Sequence, residues 1–226
     1  MGKNGKKFAM LAKKFFEAGY YKTWETDTDG TPMSKVLAVN KEVKKTSTIL
    51  PSNEILKLIE NTRFFARIPC ACRNREETLG IRKCKHKYPI HTCLLLGRYA
   101  KHVINLNDPI IEEISKEEAI ETIKKSAKMG LVLTSENVKK SNIICSCCEC
   151  CCTFMKGLLQ FDNPNAMAKA NYRCHIDYNL CNGCGLCEQW CKFKAITINE
   201  KPLIDEKKCM GCGYALYHVQ KMRSLW

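Results

Sequence analysis

The chain has 226 residues, 37 of them Lys or Arg against 23 Asp or Glu, a formal net charge of +14, and 17 cysteines. That length suits one ordinary domain with a small companion, or several small units. An odd number of cysteines defeats a fully paired disulfide framework, and the opening MGKNGKKFAM has no apolar run of the kind an export signal carries. We therefore expect metal ligation in a reducing cytoplasm. The longest strongly apolar stretch, near Thr92 to Gly97, is too short to span a bilayer.

In chain order, residues 7 to 19 (KFAMLAKKFFEAG) place Phe8, Leu11, Phe15 and Ala18 on one helical face, with Gly19 as the expected C-cap. YYKTWET, the turn residues Asp27, Asp29 and Gly30, and SKVLAVN read as two strands joined by a loop. A helix and hairpin of this kind would be one part of a DNA-binding winged helix, but the stretch before Tyr20 cannot hold the other helices such a fold needs. From Leu50 the pattern turns helical, with Ile55, Leu58, Ile59 and Phe65 at helical spacing after Pro51 and Ser52. Ser115 and Glu118 form a capping box before AIETIKKSAKMG, which Gly130 closes.

The most specific signal is CNGCGLCEQWC. Cys181, Cys184, Cys187 and Cys191 follow the C-x-x-C-x-x-C-x-x-x-C spacing of bacterial ferredoxins. Three close thiolates can wrap three corners of a cubane, while Gly183 and Gly185 let backbone N–H groups approach it. The fourth cysteine serves a second cluster, so Cys191 needs another motif downstream. AITINEKPLIDEKKC supplies strand, turn and strand before Cys209 and Cys212, and residues 173 to 226 resemble a two-cluster ferredoxin domain. Lys192 stands where that family usually has proline.

The second motif then breaks off: CMGCGYALYHVQ has Ala215 and Val219 where cysteines belong. One T inserted before a permitted coding of ALYHVQKMRSLW turns it into CTISCPKDAITL, which restores both cysteines, the proline and an apolar strand. A one-base deletion near Tyr214 is the reading this favours. With the sequence as it stands, each ferredoxin cluster has three cysteines from the motifs and is expected as a 3Fe-4S form, with a non-protein ligand, or absent.

Upstream, Cys70, Cys72, Cys84 and Cys93 make a set of four thiolates that can close on one 4Fe-4S cluster, with Arg73 offsetting its charge. Zinc is the alternative there, with His86 or His91 as substitute ligands. The run IICSCCECCCTFMKG adds Cys145, Cys147, Cys148, Cys150, Cys151 and Cys152, too many for one cubane. They are expected to divide between centres, with one or two packing as small hydrophobes. Cys174, in YRCHID, stands alone and reads as structural.

From about Leu50 onward, the IPC-x-CR segment, TCLLLG, the C-x-CC-x-CCC run and the ferredoxin motifs together resemble a family of multi-cysteine 4Fe-4S proteins of anaerobic archaea and bacteria. The resemblance implies a ferredoxin-like electron-transfer role; the cysteine sets imply three or four 4Fe-4S clusters. Each four-thiolate cluster adds roughly two negative charges, so the set would remove about half of the basic excess.

The expected architecture is α+β in three parts: a small helix and hairpin over 1–49, a helical cysteine-rich region over 50–165, and a two-cluster ferredoxin-like domain over 166–226 with a shifted frame at its end. The expected function is that of an electron carrier or relay subunit serving a partner oxidoreductase, with no catalytic residues of its own. No Ser/His/Asp set, phosphate loop or dinucleotide fingerprint is present to indicate other chemistry. Two alternatives stand beside it. One is a disulfide-type reductase subunit with an unusual cluster, although Cys147-Cys148 precedes Glu149, and Cys151-Cys152 precedes Thr153, where Cys-Cys-Gly elements would be expected. The other is a redox-sensing DNA-binding regulator, though nucleic acid is not the expected partner.

Overall fold

The computed structural model describes residues 3–20, 32–39, 53–138, 140–172, 174–179 and 181–215. A six-stranded antiparallel sheet organises them, in the order β1-β5-β6-β3-β2-β4. Its strands are β1 (Ser34–Val36), β2 (Phe65–Pro69), β3 (His91–Leu96), β4 (Glu112–Ile114), β5 (Val132–Glu136) and β6 (Ile143–Cys147). Helices α1 (Lys3–Phe15), α2 (Asn53–Glu60), α3 (Ala71–Thr78), α4 (Gly97–Ile104), α5 (Lys116–Lys128) and α6 (Thr153–Gln160) interleave with them. A short helix α7 (Leu186–Trp190) and a separate hairpin, β7 (Ile196–Asn199) with β8 (Lys201–Ile204), follow. Among the described residues no helix is long and apolar enough to cross a membrane.

The chain is thus α+β, but the middle region is not the helical body the periodicity predicts. FARIP, HTCLLL, VLTSE and IICSC are strands in it. His91–Leu96 is buried at every position after His91, so it shows no period-2 alternation that would distinguish it from a buried helical turn. The core beneath the sheet gathers Leu37, Ile55, Ile59, Phe65, Leu94, Ile123, Leu133 and Ile144. Each such side chain contributes about 1.5–3 kcal/mol on full burial. Helix α5 presents Ala119, Ile123 and Ala127 to this core and begins at the expected capping box, with Glu118 N donating to Ser115 Oγ at 3.1 Å and Ser115 N to Glu118 Oε2 at 2.8 Å. It ends before Gly130, whose φ of +81° is the left-handed stop the sequence predicts.

At the N-terminus α1 forms as expected, yet Phe8, Leu11 and Phe15 are exposed, and the helix continues past Gly19 as a π turn, Phe16–Tyr20. The expected hairpin is not found among the described residues. Its second half, β1, is an edge strand of the large sheet beside β5, and residues 21–31, which hold most of the first half, lie outside the described part. Residues 32–39 tie the molecule together. Val36 N donates to Ala168 O at 3.0 Å, Leu37 N to Leu133 O at 2.9 Å, and Val39 N to Cys212 O at 2.9 Å. Tyr214, almost fully buried, enters the main core and donates its hydroxyl to Leu131 O.

Candidate metal centre

The sheet register brings the first cysteines together. Leu94 of β3 faces Ile144 of β6, and one step further along the same antiparallel pairing brings Cys93 level with Cys145. Cys147 lies two residues on and so shares the face of Cys145. Strand β2 ends at Pro69, and Cys70 then N-caps α3, with its N–H bonded to Ile90 O at 2.8 Å. Cys72 lies in the first turn of that helix, and Cys152 N-caps α6. Two helix N-termini, each carrying partial positive charge, therefore border the same group of thiols.

These six thiols act on one another's ionisation in a closed sequence, running Cys70, Cys72, Cys152, Cys147, Cys145, Cys93 and back to Cys70. Their mutual influence divides their acidities. Hydrogen bonds from Cys152 and Cys70 hold the Cys72 thiol well below its ordinary pKa, and bonds from Cys145 and Cys70 do the same for Cys93. Cys70 is pushed well up by Cys72 and Cys93, Cys147 by Cys145, and Cys152 by Cys147 and Cys72. At Cys145 the bond from Cys147 favours ionisation, but Cys93 and burial prevail and raise it. Hydroxyls border the ring as well, with Thr134 Oγ1 3.4 Å from Cys147 Sγ and Thr153 Oγ1 3.6 Å from Cys72 Sγ.

A second group forms at the turn after β6. Cys148, Cys150 and Cys151 close with Cys84, from the loop between α3 and β3, so that all four sulfurs lie within 4.8 Å of one another. Cys84 Sγ is 3.7 Å from Cys151 Sγ, and Cys150 Sγ is 3.6 Å from both Cys148 and Cys151. A single ion with metal–sulfur bonds of about 2.3 Å sets its four sulfurs about 3.8 Å apart. The tetrad therefore has the size of a one-ion tetrahedral site. Cys148 is strongly acidified by the thiols of Cys150 and Cys151 and by the nearby Arg73.

Arg73 lies between ring and tetrad, fully buried. Its Nη1 donates to Ser146 O at 2.8 Å and stands 3.9 Å from Cys148 Sγ, while Nη2 donates to Thr92 Oγ1. Burial disfavours its charge, but Cys70, Cys148 and Cys93 outweigh that and raise its pKa. On the tetrad's outer side, Glu149 pairs with Lys192 at 3.2 Å. The lysine found where a ferredoxin would carry proline thus joins the turn of the tetrad to the residue after Cys191.

The remaining cysteines lie toward the C-terminus. Cys174, Cys191, Cys209 and Cys212 line one cavity of about 70 Å³ together with Tyr172, Phe193 and Ala215. Ala195 N–H donates to Cys191 Sγ at 3.2 Å. Burial pushes the Cys174 thiol up to about 11, aided by the charges of Cys209, Cys191 and Cys187, and burial likewise pushes Cys212 up to about 12. Cys181 and Cys184, on the loop entering α7, and Cys187, in its first turn, form the last group. Burial, and then the charges of Cys181 and Cys184, raise the Cys187 thiol against the opposing pull of backbone N–H bonds.

Every cysteine thus falls into one of these sets. The grouping differs from the expected one: Cys84 joins the tetrad, whereas Cys70, Cys72 and Cys93 join the ring. The dense run divides by geometry, with Cys145, Cys147 and Cys152 turned to the ring and Cys148, Cys150 and Cys151 to the tetrad. Cys147 and Cys152 also pack in a hydrophobic cluster with Val36, Val132, Met155 and Phe193. His86 and His91 are exposed. Cys174, expected to stand alone, lies with Cys191, Cys209 and Cys212. The available signal was the shortfall itself, since three motif cysteines without a fourth call for an outside ligand. Val219 lies outside the described residues.

No protein-family model matches the chain, and comparison with curated proteins and with solved structures gives no significant match to either. The geometry of the cysteines therefore carries the functional argument.

Proposed function

We propose that the protein is an iron–sulfur electron carrier or relay subunit that passes single electrons to or from a partner oxidoreductase. The observation that carries this is the closed ring of six thiols. A zinc ion takes four ligands in a structural site, so a ring of this size exceeds what one such ion can use. Soft thiolates in these numbers suit iron with inorganic sulfide, and the bound clusters would supply one-electron transfer.

The chain's own residues fit that task. Thiols bind; Arg73 offsets thiolate charge between the ring and the tetrad; the Ala195 N–H and the Thr134 and Thr153 hydroxyls surround sulfur with polar groups that tune a centre's potential. Burial of Cys70, Cys93, Cys147 and Cys152 keeps water from most of the ring. The C-terminal hairpin β7–β8 between the two C-x-x-C elements accords with the two-cluster ferredoxin reading of that region. A net basic chain favours docking to an acidic partner.

Anaerobic purification of the full chain, with iron and acid-labile sulfide analysis and EPR of the dithionite-reduced protein, tests the proposal. A brown, sulfide-containing protein that reduces an artificial acceptor supports it. A colourless, sulfide-free product holding only zinc overturns it. A second reading applies to the tetrad alone: its 3.6–3.7 Å edges favour a single structural zinc ion there. One zinc per chain alongside iron and sulfide is the result that would mark it.

A further inference from the structure

The second ferredoxin motif supplies Cys209 and Cys212 and then Ala215 in place of a third cysteine. With Cys191 they make three thiolates, one short of a cubane's four. The structure places a fourth thiol on the same cavity wall from outside the motif, Cys174.

Its position is built into the backbone. Ala170 N donates to Met210 O at 3.0 Å, which lays residues 168–172 along the loop of the second motif. At Gly211, with φ +67°, a Cβ would come within 2.2 Å of Tyr172 O, so the two segments meet more closely than any side chain would allow. Gly213 makes the same kind of approach to Val39 O, at 1.7 Å, which fixes the loop from its other side. Cys174 follows Tyr172 by two residues and is held against this loop. Ala215 lines the same cavity, so the place of the missing cysteine and the thiol that could replace it open on one space.

The size of the space points to the group it takes. Among the described residues the tetrad is the one set of His, Cys, Asp or Glu whose ligand atoms all lie within 4.8 Å of one another. The four sulfurs here are spread around a cavity of about 70 Å³, whereas a single water needs roughly 10–15 Å³. A lone ion requires sulfurs drawn together; a cubane holds each thiolate on a different iron, around a compact inorganic core.

Resting on the iron–sulfur reading above, we infer that Cys174, Cys191, Cys209 and Cys212 hold a 4Fe-4S cubane, with Cys174 supplying the ligand that Ala215 does not. Each thiol gives up its proton on binding, and a core assembled from two ferric irons, two ferrous irons and four sulfides needs no further oxidant; reconstitution therefore supplies both iron states.

The test uses the full chain, reconstituted anaerobically with ferrous and ferric iron and sulfide. Cys174→Ala should lose up to about four irons and four sulfides per chain, or leave a 3Fe-4S EPR signal in their place. Ala215→Cys added to Cys174→Ala should restore the parent's iron, sulfide and EPR spectrum, which a merely misfolded variant would not do. Parent-level iron, sulfide and spectrum in Cys174→Ala would overturn the inference while leaving the iron–sulfur function standing. Failure of Ala215→Cys to rescue a depleted Cys174→Ala would overturn it too, because the loss would then not be one of ligation at this cavity. A parent chain that takes up no iron at all would sink both this inference and the wider proposal.

Discussion

Replacing Arg73 by Met removes the one fully buried cation between ring and tetrad while keeping an unbranched apolar stem. The change withdraws the donor that Ser146 O accepts at 2.8 Å and the one that Thr92 Oγ1 accepts, and it removes positive charge 3.9 Å from Cys148 Sγ. Loss of one partner from a buried charged network costs about 3–5 kcal/mol, which sets the expected loss of stability in the metal-loaded protein. The electrostatic part can be worked separately. At about 4 Å and an effective dielectric near 20, one unit charge interacts with another by about 4 kcal/mol, and a cluster held by the ring thiols Cys70 and Cys93, whose charge Arg73 also feels, would lie further off and interact less. Reduction adds negative charge that Arg73 favours, so Arg73→Met should lower the potential of the nearest centre by on the order of 100 mV, with 59 mV for each tenfold change in a one-electron equilibrium. Anaerobic redox titration followed by EPR measures the shift, and chemical denaturation measures the stability. Arg73→Lys keeps the charge without the fork, so it should recover more of the potential than of the stability. An unchanged potential together with an unchanged denaturation midpoint would refute the shared-cation reading.

Cys174 and Cys212 have thiols raised to about 11 and about 12, so both carry protons at neutral pH and both must release them when a metal binds. Iron and sulfide uptake at that cavity should therefore rise as the pH climbs from about 7 to 9; reconstitution of the parent and Cys174→Ala across that range, followed by iron analysis, checks this, and a difference that stays flat with pH contradicts it. Gly213→Ala should destabilise the protein by at least about 2 kcal/mol, because its φ of +79° and the Val39 carbonyl both exclude a Cβ. Thermal unfolding of the reduced, metal-free chain reads this, and a midpoint within about a degree of the parent would count against the packing described. Cys84→Ser should remove the tetrad's metal and leave the ring's, so metal analysis should show a partial loss; complete loss would mean that the two sets form a single site.

The elements that signalled themselves locally were readable in the sequence. Ser115 and Glu118 lie within one helical turn, so their capping box needs no knowledge of the rest of the fold, and the same holds for Gly130. AITINEKPLID likewise reads as strand, turn and strand, and the hairpin of β7 and β8 lies there. The partition of the other cysteines was hidden because it depends on long-range register. Cys93 meets Cys145 only because β3 lies beside β6, and Cys84 meets Cys151 through a loop whose course no periodicity reports. Sequence proximity put Cys84 with Cys70 and Cys72, whereas the loop between α3 and β3 carries it to Cys151. Cys174 was missed for a related reason: its place is fixed by the backbone meeting of Gly211 with Tyr172, and a glycine in a cysteine motif does not announce what it approaches.

Residues 32–39 emerge from the ribosome long before the partners they bond. β1 cannot pair with β5 until residue 136 has been made, and its neighbours Ala168 and Cys212 come later still. The ten cysteines of ring and tetrad, from Cys70 to Cys152, are all made before Ala168 and Cys212. Domains form from the N-terminal side as synthesis proceeds, so the order of the chain leaves that edge of the sheet unsealed while those thiols are already present. The loop at Cys212 and Gly213 can therefore dock on Val39 only after every one of these thiols has been made.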